Sequence, residues 1–73
     1  MNNRKHIRVE GPEPYTDRDG DERPEWYVFA AGPDREPAGK VYTVRRSLAF
    51  AHWLGMRMSY DRQLPLAMEA NPA

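Results

Sequence analysis

The segment covering residues 47–60 constrains the fold most, because it has the periodicity of an α-helix with apolar residues on two sides. One stripe has the spacing of a helix face packed on a sheet: Ala51, Leu54, Gly55 and Met58. A second stripe is also apolar: Ala49, Phe50, Trp53, Met56 and Tyr60. One stripe can form the core, but the other needs a cover from the rest of the chain or from a partner.

The small size of the chain makes a partner plausible on physical grounds. A chain of 73 residues buries only about 60% of its unfolded surface. It has no cysteine, so neither a disulfide nor a thiolate metal site can supplement the core. No apolar run reaches the length of a membrane span and the basic start does not resemble a signal peptide. We therefore expect a cytoplasmic protein, and the preference for Arg over Lys is typical of a GC-rich bacterial genome.

Charge is balanced overall but unevenly distributed. The 11 basic and 11 acidic residues argue against a protein held on nucleic acid mainly by phosphate neutralisation. Residues 10–25 are strongly acidic, and the stretch from 11 to 24 combines Pro, Gly and charge with Tyr15 as its only apolar anchor. This composition predicts an acidic mobile loop at 11–24.

Alternation and β-forming residues predict four strands. Residues 6–10 alternate, so that Ile7 and Val9 would point inward. Residues 25–31 are rich in β-formers and predict a strand covered on both faces, and 40–45 predict its partner across a hairpin loop at 32–39. Leu64, Leu66 and Met68 predict a last strand, placed at an edge by Pro65. A helix over 65–70 remains an alternative, because these residues are also good helix formers.

Ser47 is the predicted N-cap of the helix, which should end near Asp61 or Arg62. The chain thus predicts one α+β domain over residues 1–73: a small antiparallel sheet of three to four strands with one helix packed on one face. Its core would be ββαβ with an extra N-terminal strand. The tail at 71–73 is expected to fray.

Part of the chain resembles small bacterial proteins of unknown function. The resemblance covers residues 26–70 and rests on the helix pattern A-x-x-L-[AG]-x-x-M, matched by Ala51, Leu54, Gly55 and Met58, and on the ending at 64–70. Proteins of this size and architecture occur on plasmids, integrative elements and phages, where some inhibit host defence, as anti-CRISPR proteins do. The resemblance implies a strand-strand-helix-strand fold and an accessory or inhibitor role.

The second stripe of the helix is the first candidate site. Its aromatic residues could pack beneath the acidic loop or the first strand. Alternatively they form a contact surface, since aromatic residues, Met and Arg are enriched at interface cores. The candidate partner-binding residues are Phe50, Trp53, Met56, Arg57 and Tyr60, with Trp53 as the principal contact. A homodimer about a two-fold axis is the simplest form of such an interface.

The acidic segment is the second candidate site. Its acids are Asp17, Asp19, Asp21 and Glu22. They resemble the opening of a calcium loop, but Gly20 stands at position four instead of six and Val28 occupies the place of the bidentate Glu. We interpret the segment as a solvated acidic strip that could meet a basic groove on a partner protein.

Arg45, Arg46 and Arg57, with the basic N-terminus, make DNA or RNA binding the alternative function. No residue pattern indicates catalysis, a metal or a cofactor, because His6 and His52 are the only imidazoles and neither has a second ligand at metal spacing. The sequence thus favours a non-catalytic protein-interaction module.

Overall fold

Four strands and one helix make up the fold. The structure, a computed structural model, describes residues 4–72. The elements are β1 (His6–Thr16), β2 (Glu22–Ala31), β3 (Pro37–Val44), α1 (Leu48–Arg62) and β4 (Leu66–Ala70). The sheet has the order β3-β2-β1-β4, and α1 packs across β1, β2 and β4. The predicted α+β class is confirmed.

The sheet is mixed, which differs from the expected antiparallel arrangement. β1 pairs antiparallel with β2, and β2 with β3, but β4 lies parallel to β1, with Ile7 opposite Leu66. The helix explains the difference. A chain that leaves β3, crosses the sheet as a helix and returns enters the next strand in the same direction, as in other crossover connections. The last segment is a strand at the sheet edge, as predicted, and the helical alternative for it is wrong.

The prediction that residues 11–24 form a loop is wrong in its secondary structure. β1 continues to Thr16 and β2 begins at Glu22, so these residues form an antiparallel arm closed by the turn at 17–21. The arm has few apolar side chains. Its sequence therefore shows no alternation of polar and apolar residues from which its strands could be predicted. Backbone pairing from Glu13–Glu25 to Thr16–Glu22 holds it, and the Arg45 guanidinium stacks on Tyr15 at 4.0 Å from the ring centroid.

Helix α1 begins and ends where its sequence predicts. The Ser47 hydroxyl oxygen accepts a hydrogen bond from the Phe50 amide at 3.0 Å, which satisfies one of the free amides of the first turn. At the other end Gln63 adopts a left-handed conformation with φ of 54° and its amide donates to the carbonyls of Ser59 and Tyr60. These caps satisfy backbone groups that the ends of the helix would otherwise leave free.

The core lies between α1 and one face of the sheet. Its buried members are Ile7, Val9, Trp26, Val28, Val44, Ala51 and Met58. Ile7 and Val9 point inward as predicted and are fully buried. Phe29 and Ala31 of β2 are buried on the other face of the sheet, so the prediction that this strand is covered on both faces is confirmed.

The end of the described chain is tied to the core. The Asn71 amide donates to the Gly11 carbonyl at 3.0 Å, and its carbonyl accepts from the Trp26 indole, also at 3.0 Å. The prediction of fraying at 71–73 is therefore wrong for Asn71. Pro72 is exposed, and Ala73 lies outside the described residues.

Gly55 is the closest point between α1 and the sheet. A Cβ atom there would lie 2.6 Å from Cγ2 of Val9 and 3.2 Å from Cδ1 of Leu66. We expect Gly55→Ala to lower the free energy of unfolding by about 1–2 kcal/mol, because displacing a buried Val outweighs the gain of about 1 kcal/mol in helix propensity. Chemical denaturation measures this. Gly39→Ala, where no atom lies within 4 Å, serves as the control, and an equal loss there would contradict the packing explanation.

Candidate interaction surface

The side of α1 that faces away from the sheet is apolar. Residues in a helix are separated by about 100°, so burial of Ala51, Gly55 and Met58 places the opposite stripe in solvent. Trp53 is 54% exposed, Met56 51%, Tyr60 81% and Phe50 37%. We call these four residues the aromatic face. The alternative in which they pack beneath the arm or β1 is wrong.

Neighbouring contacts order part of the aromatic face. The rings of Phe50 and Trp53 lie 5.6 Å apart between centroids at an interplanar angle of 48°, within the range of favourable tilted aromatic pairs. The Arg46 guanidinium lies 5.1 Å above the Phe50 ring. Such contacts limit the rotamers of Phe50 and Trp53, which reduces the entropy lost when a partner covers them.

The three arginines predicted to form a nucleic-acid patch all contact other side chains. Arg45 forms an ion pair with Glu25 at 2.9 Å, and Arg57 one with Asp61 at 3.2 Å. Arg46 stacks on the aromatic face. Two of the three cations therefore have a carboxylate partner. Arg57 borders the aromatic face, because it lies four residues after Trp53 and three before Tyr60 on the helix.

The acids of the arm occupy its turn, and Asp17 has a structural role. Its carboxylate accepts from the amides of Asp19 and Asp21 at 2.9 Å each and pairs with Arg23 at 3.0 Å. The hydrogen bond from Asp21, followed by the one from Arg23, lowers the pKa of Asp17. Asp19, Asp21 and Glu22 are exposed. Residues 4–72 contain no group of three or more His, Asp or Glu side chains placed to hold a metal ion.

Glu25 and Tyr27 form a coupled pair beside Arg45. The Tyr27 hydroxyl donates to the Glu25 carboxylate, and this hydrogen bond raises the pKa of Tyr27 to about 12. The same bond, together with Arg45, lowers the pKa of Glu25. The three side chains link the arm base to the start of α1, because Arg45 also contacts Tyr15.

The hydrogen bond between Tyr27 and Glu25 predicts a loss of stability at alkaline pH. The raised pKa of Tyr27 favours folding below its ordinary value of 10.0, and the stabilisation declines as pH rises from 10.0 to about 12. We expect the difference in free energy of unfolding between the wild type and Tyr27→Phe to shrink over this interval. Phenolate absorbance should show one fewer group titrating near pH 12 in the variant. Glu25→Gln should bring that midpoint towards 10.0, and an unchanged midpoint would contradict the proposed cause.

Sequence reasoning did not identify a groove on the face of the sheet away from α1. It encloses about 450 Å³ and contains Arg4, Arg8, Arg35 and Glu69 among its lining residues. Part of the groove could have been inferred from the alternation of residues 6–10. If Ile7 and Val9 face the helix, Arg8 must face the opposite side of the sheet. Arg35 could not be placed there, because it comes from the loop between β2 and β3.

Within residues 4–72, no helix is long and apolar enough to cross a membrane. Comparisons with protein-family models, with curated proteins and with solved structures found no match to this chain.

Proposed function

We propose that this protein is a non-catalytic interaction module that binds another protein through its aromatic face. The observation that carries the proposal is the exposure of Trp53, Met56 and Tyr60 on the outer side of the only helix in the described chain. Single exposed apolar residues are ordinary, but a contiguous stripe is typical of contact surfaces. Trp, Tyr and a neighbouring Arg are also the residue types that contribute most to binding at interfaces.

The partner that fits this surface best is a second copy of the chain. In an antiparallel pair of α1 helices about a two-fold axis, Trp53 of each copy would meet Met56 of the other, and the small Ala49 would meet the large Tyr60. The last turn of α1 carries Arg62, and Asp61 is already paired with Arg57, so the contact in this arrangement is mainly apolar.

The charge pattern supports a protein partner over DNA or RNA. Phosphate recognition needs cations that are available to release counterions from nucleic acid. Arg45 and Arg57 are already paired with Glu25 and Asp61, and the arm beside them carries exposed carboxylates. A nucleic acid lying on α1 would meet these acids.

The tip of the arm provides a second contact in this proposal. Asp19, Asp21 and Glu22 are exposed at the end of a structure whose long dimension is 43 Å against 21 and 19 Å. Clustered carboxylates at a protruding tip favour rapid association with a basic surface, and this contribution weakens as salt increases. The resemblance to mobile-element proteins implies that a protein with such a surface would act as an accessory protein or as an inhibitor of a host protein. Genes encoding mobile-element functions beside this one would support that role.

Molar mass as a function of concentration tests the proposal. We expect light scattering to give the mass of a monomer at low concentration and of a dimer at high concentration, with little change between low and moderate salt because the contact is mainly apolar. Retention on heparin at physiological salt, together with a monomeric mass at every concentration, would instead favour the nucleic-acid alternative. Ala in place of Arg46 would then reduce that retention.

A further inference from the structure

The groove on the face of the sheet away from α1 brings together cations from separate parts of the chain. Arg4 and Arg8 come from the N-terminal segment and β1, and Arg35 from the loop between β2 and β3. Glu69 of β4 lies on the opposite side of the groove, by its position on the edge strand. His6 Nδ1 lies 2.9 Å from the Arg4 carbonyl oxygen, which holds the backbone of Arg4 beside the groove. The groove is distant from the aromatic face, because α1 covers the other side of the sheet.

Arg8 is the only buried charged residue among those described, with 7% of its surface exposed. Burial of a charge is costly unless hydrogen bonds compensate it. Its Nε donates to Glu10 at 2.7 Å, but its terminal nitrogens make no hydrogen bond to any described residue. The Arg8 side chain keeps 9% of its surface exposed. Since Arg8 lines the groove, its terminal nitrogens are available to a ligand bound there.

Arg4 and Arg35 add two further guanidinium groups. Neither lies within 4.0 Å of a carboxylate in the described part of the chain, unlike Arg8, Arg23, Arg45 and Arg57. Arg35 also adopts a left-handed backbone conformation, with φ of 68°. This conformation costs an L-residue roughly 1 kcal/mol and glycine almost nothing. Stability alone would therefore favour glycine at position 35, whereas an arginine there supplies a cation to the groove.

We propose that this groove binds the phosphate group of a small phosphomonoester. Guanidinium groups match the geometry of phosphate oxygens and donate to them in pairs. A phosphomonoester carries a charge near −2 at neutral pH, more than a single carboxylate does, and Glu69 remains to accept a hydrogen bond from a hydroxyl on the same molecule. A volume of about 450 Å³ lies within the usual range for small-molecule sites.

A small molecule fits better than a nucleic acid in this position. Glu10 lies opposite Glu69 in the register of β1 and β4, so two carboxylates share the face with the cations. A polymer running along that face would pass both of them. A compact phosphomonoester can contact the guanidinium groups and a single carboxylate acceptor without meeting further negative charge.

Titration with glycerol 3-phosphate, followed through backbone amide chemical shifts at constant ionic strength, tests the proposal. We expect the shifts to concentrate at residues 4–8, 34–35 and 66–69. Inorganic phosphate should produce the same pattern with weaker affinity, because it lacks the carbon-bound hydroxyl that would reach Glu69. Malonate should bind at least tenfold more weakly than glycerol 3-phosphate.

Arg35→Gly separates binding from stability. It removes a guanidinium group but suits the backbone conformation, so we expect at least a tenfold loss of affinity for glycerol 3-phosphate with an unchanged or raised melting temperature. Gln63→Gly is the matched control, because it relieves the same type of backbone conformation away from the groove and should leave affinity unchanged. Arg4→Gln provides a second loss of affinity that does not depend on folding.

Three results would overturn the proposal. One is equal affinity for malonate at the same residues, which would indicate a general anion site. Another is unchanged affinity in both Arg35→Gly and Arg4→Gln. The third is tighter binding of a short oligonucleotide than of glycerol 3-phosphate through the same arginines, which would assign the groove to nucleic acid.

Discussion

Replacing Trp53 by Ala is expected to raise the dissociation constant of the proposed dimer by about 10³-fold. Trp at the centre of an interface typically contributes about 2 kcal/mol or more when truncated, and a two-fold interface contains the residue twice. A total of about 4 kcal/mol corresponds to that factor. Sedimentation velocity over a wide concentration range measures it. The fold should persist, since Trp53 is 54% exposed and is not one of the residues of the buried core.

His52→Ala is the matched control for this experiment. His52 is exposed on the same helix but lies about 100° from Trp53 around the axis, so its loss should leave the dissociation constant within about threefold. Circular dichroism and thermal unfolding of both variants separate binding from folding. Loss of helical signal in Trp53→Ala alone would show that the side chain supports the fold. A wild type that stays monomeric at every accessible concentration would exclude a second copy as the partner.

The substitution Gly11→Ala is expected to lower the free energy of unfolding by about 3 kcal/mol or more. Gly11 has a φ of 123° at the irregularity in the pairing of β1 with β2. An added Cβ would lie 2.9 Å from the Glu25 carbonyl oxygen and 3.1 Å from Cα of Trp26. Because these are backbone atoms, the strand itself must shift, so conformational strain and steric crowding add. A chain of 73 residues has a total stability of only about 4–11 kcal/mol.

Gly20→Ala distinguishes the two contributions. Gly20 also has a positive φ, of 86°, but a Cβ atom there would meet no atom within 4 Å. We expect it to cost about 1 kcal/mol, which is the contribution of the backbone conformation alone. Urea denaturation of both variants gives the difference. Equal losses would show that crowding at Gly11 contributes nothing, and would contradict a steric requirement for glycine at that position.

The helix could be predicted from sequence because its determinants are local. The Ser47 cap, the apolar period and the end near Arg62 all lie within one segment, and the same period separated the buried side from the aromatic face. The arm could not be predicted, because residues 11–16 and 22–24 are held by backbone pairing and by the polar turn at Asp17. Backbone hydrogen bonds do not produce a periodic pattern of side chains in the sequence.

Long-range placement also limited what could be predicted of the candidate sites. The aromatic face could be defined residue by residue, but its exposure depended on where the arm goes. The pairing of Arg45 with Glu25 joins residues on different elements, so the apparent basic patch contained charges already compensated. The groove depends on the return of β4 beside β1, which placed Glu69 near the N-terminal arginines.

The parallel pairing of β4 with β1 has a consequence for biosynthesis. β1 leaves the ribosome before β4, so its partner on one side is not available until residues 66–70 have emerged. Until then the emerging chain has a free strand edge bearing Ile7 and Val9, and such edges recruit other chains. Arg4, Lys5 and Arg8 flank or interrupt this apolar pair, and like charges on neighbouring nascent chains repel. These cations would thus protect the unfinished protein from aggregation, in addition to the role proposed for Arg4 and Arg8 in the groove.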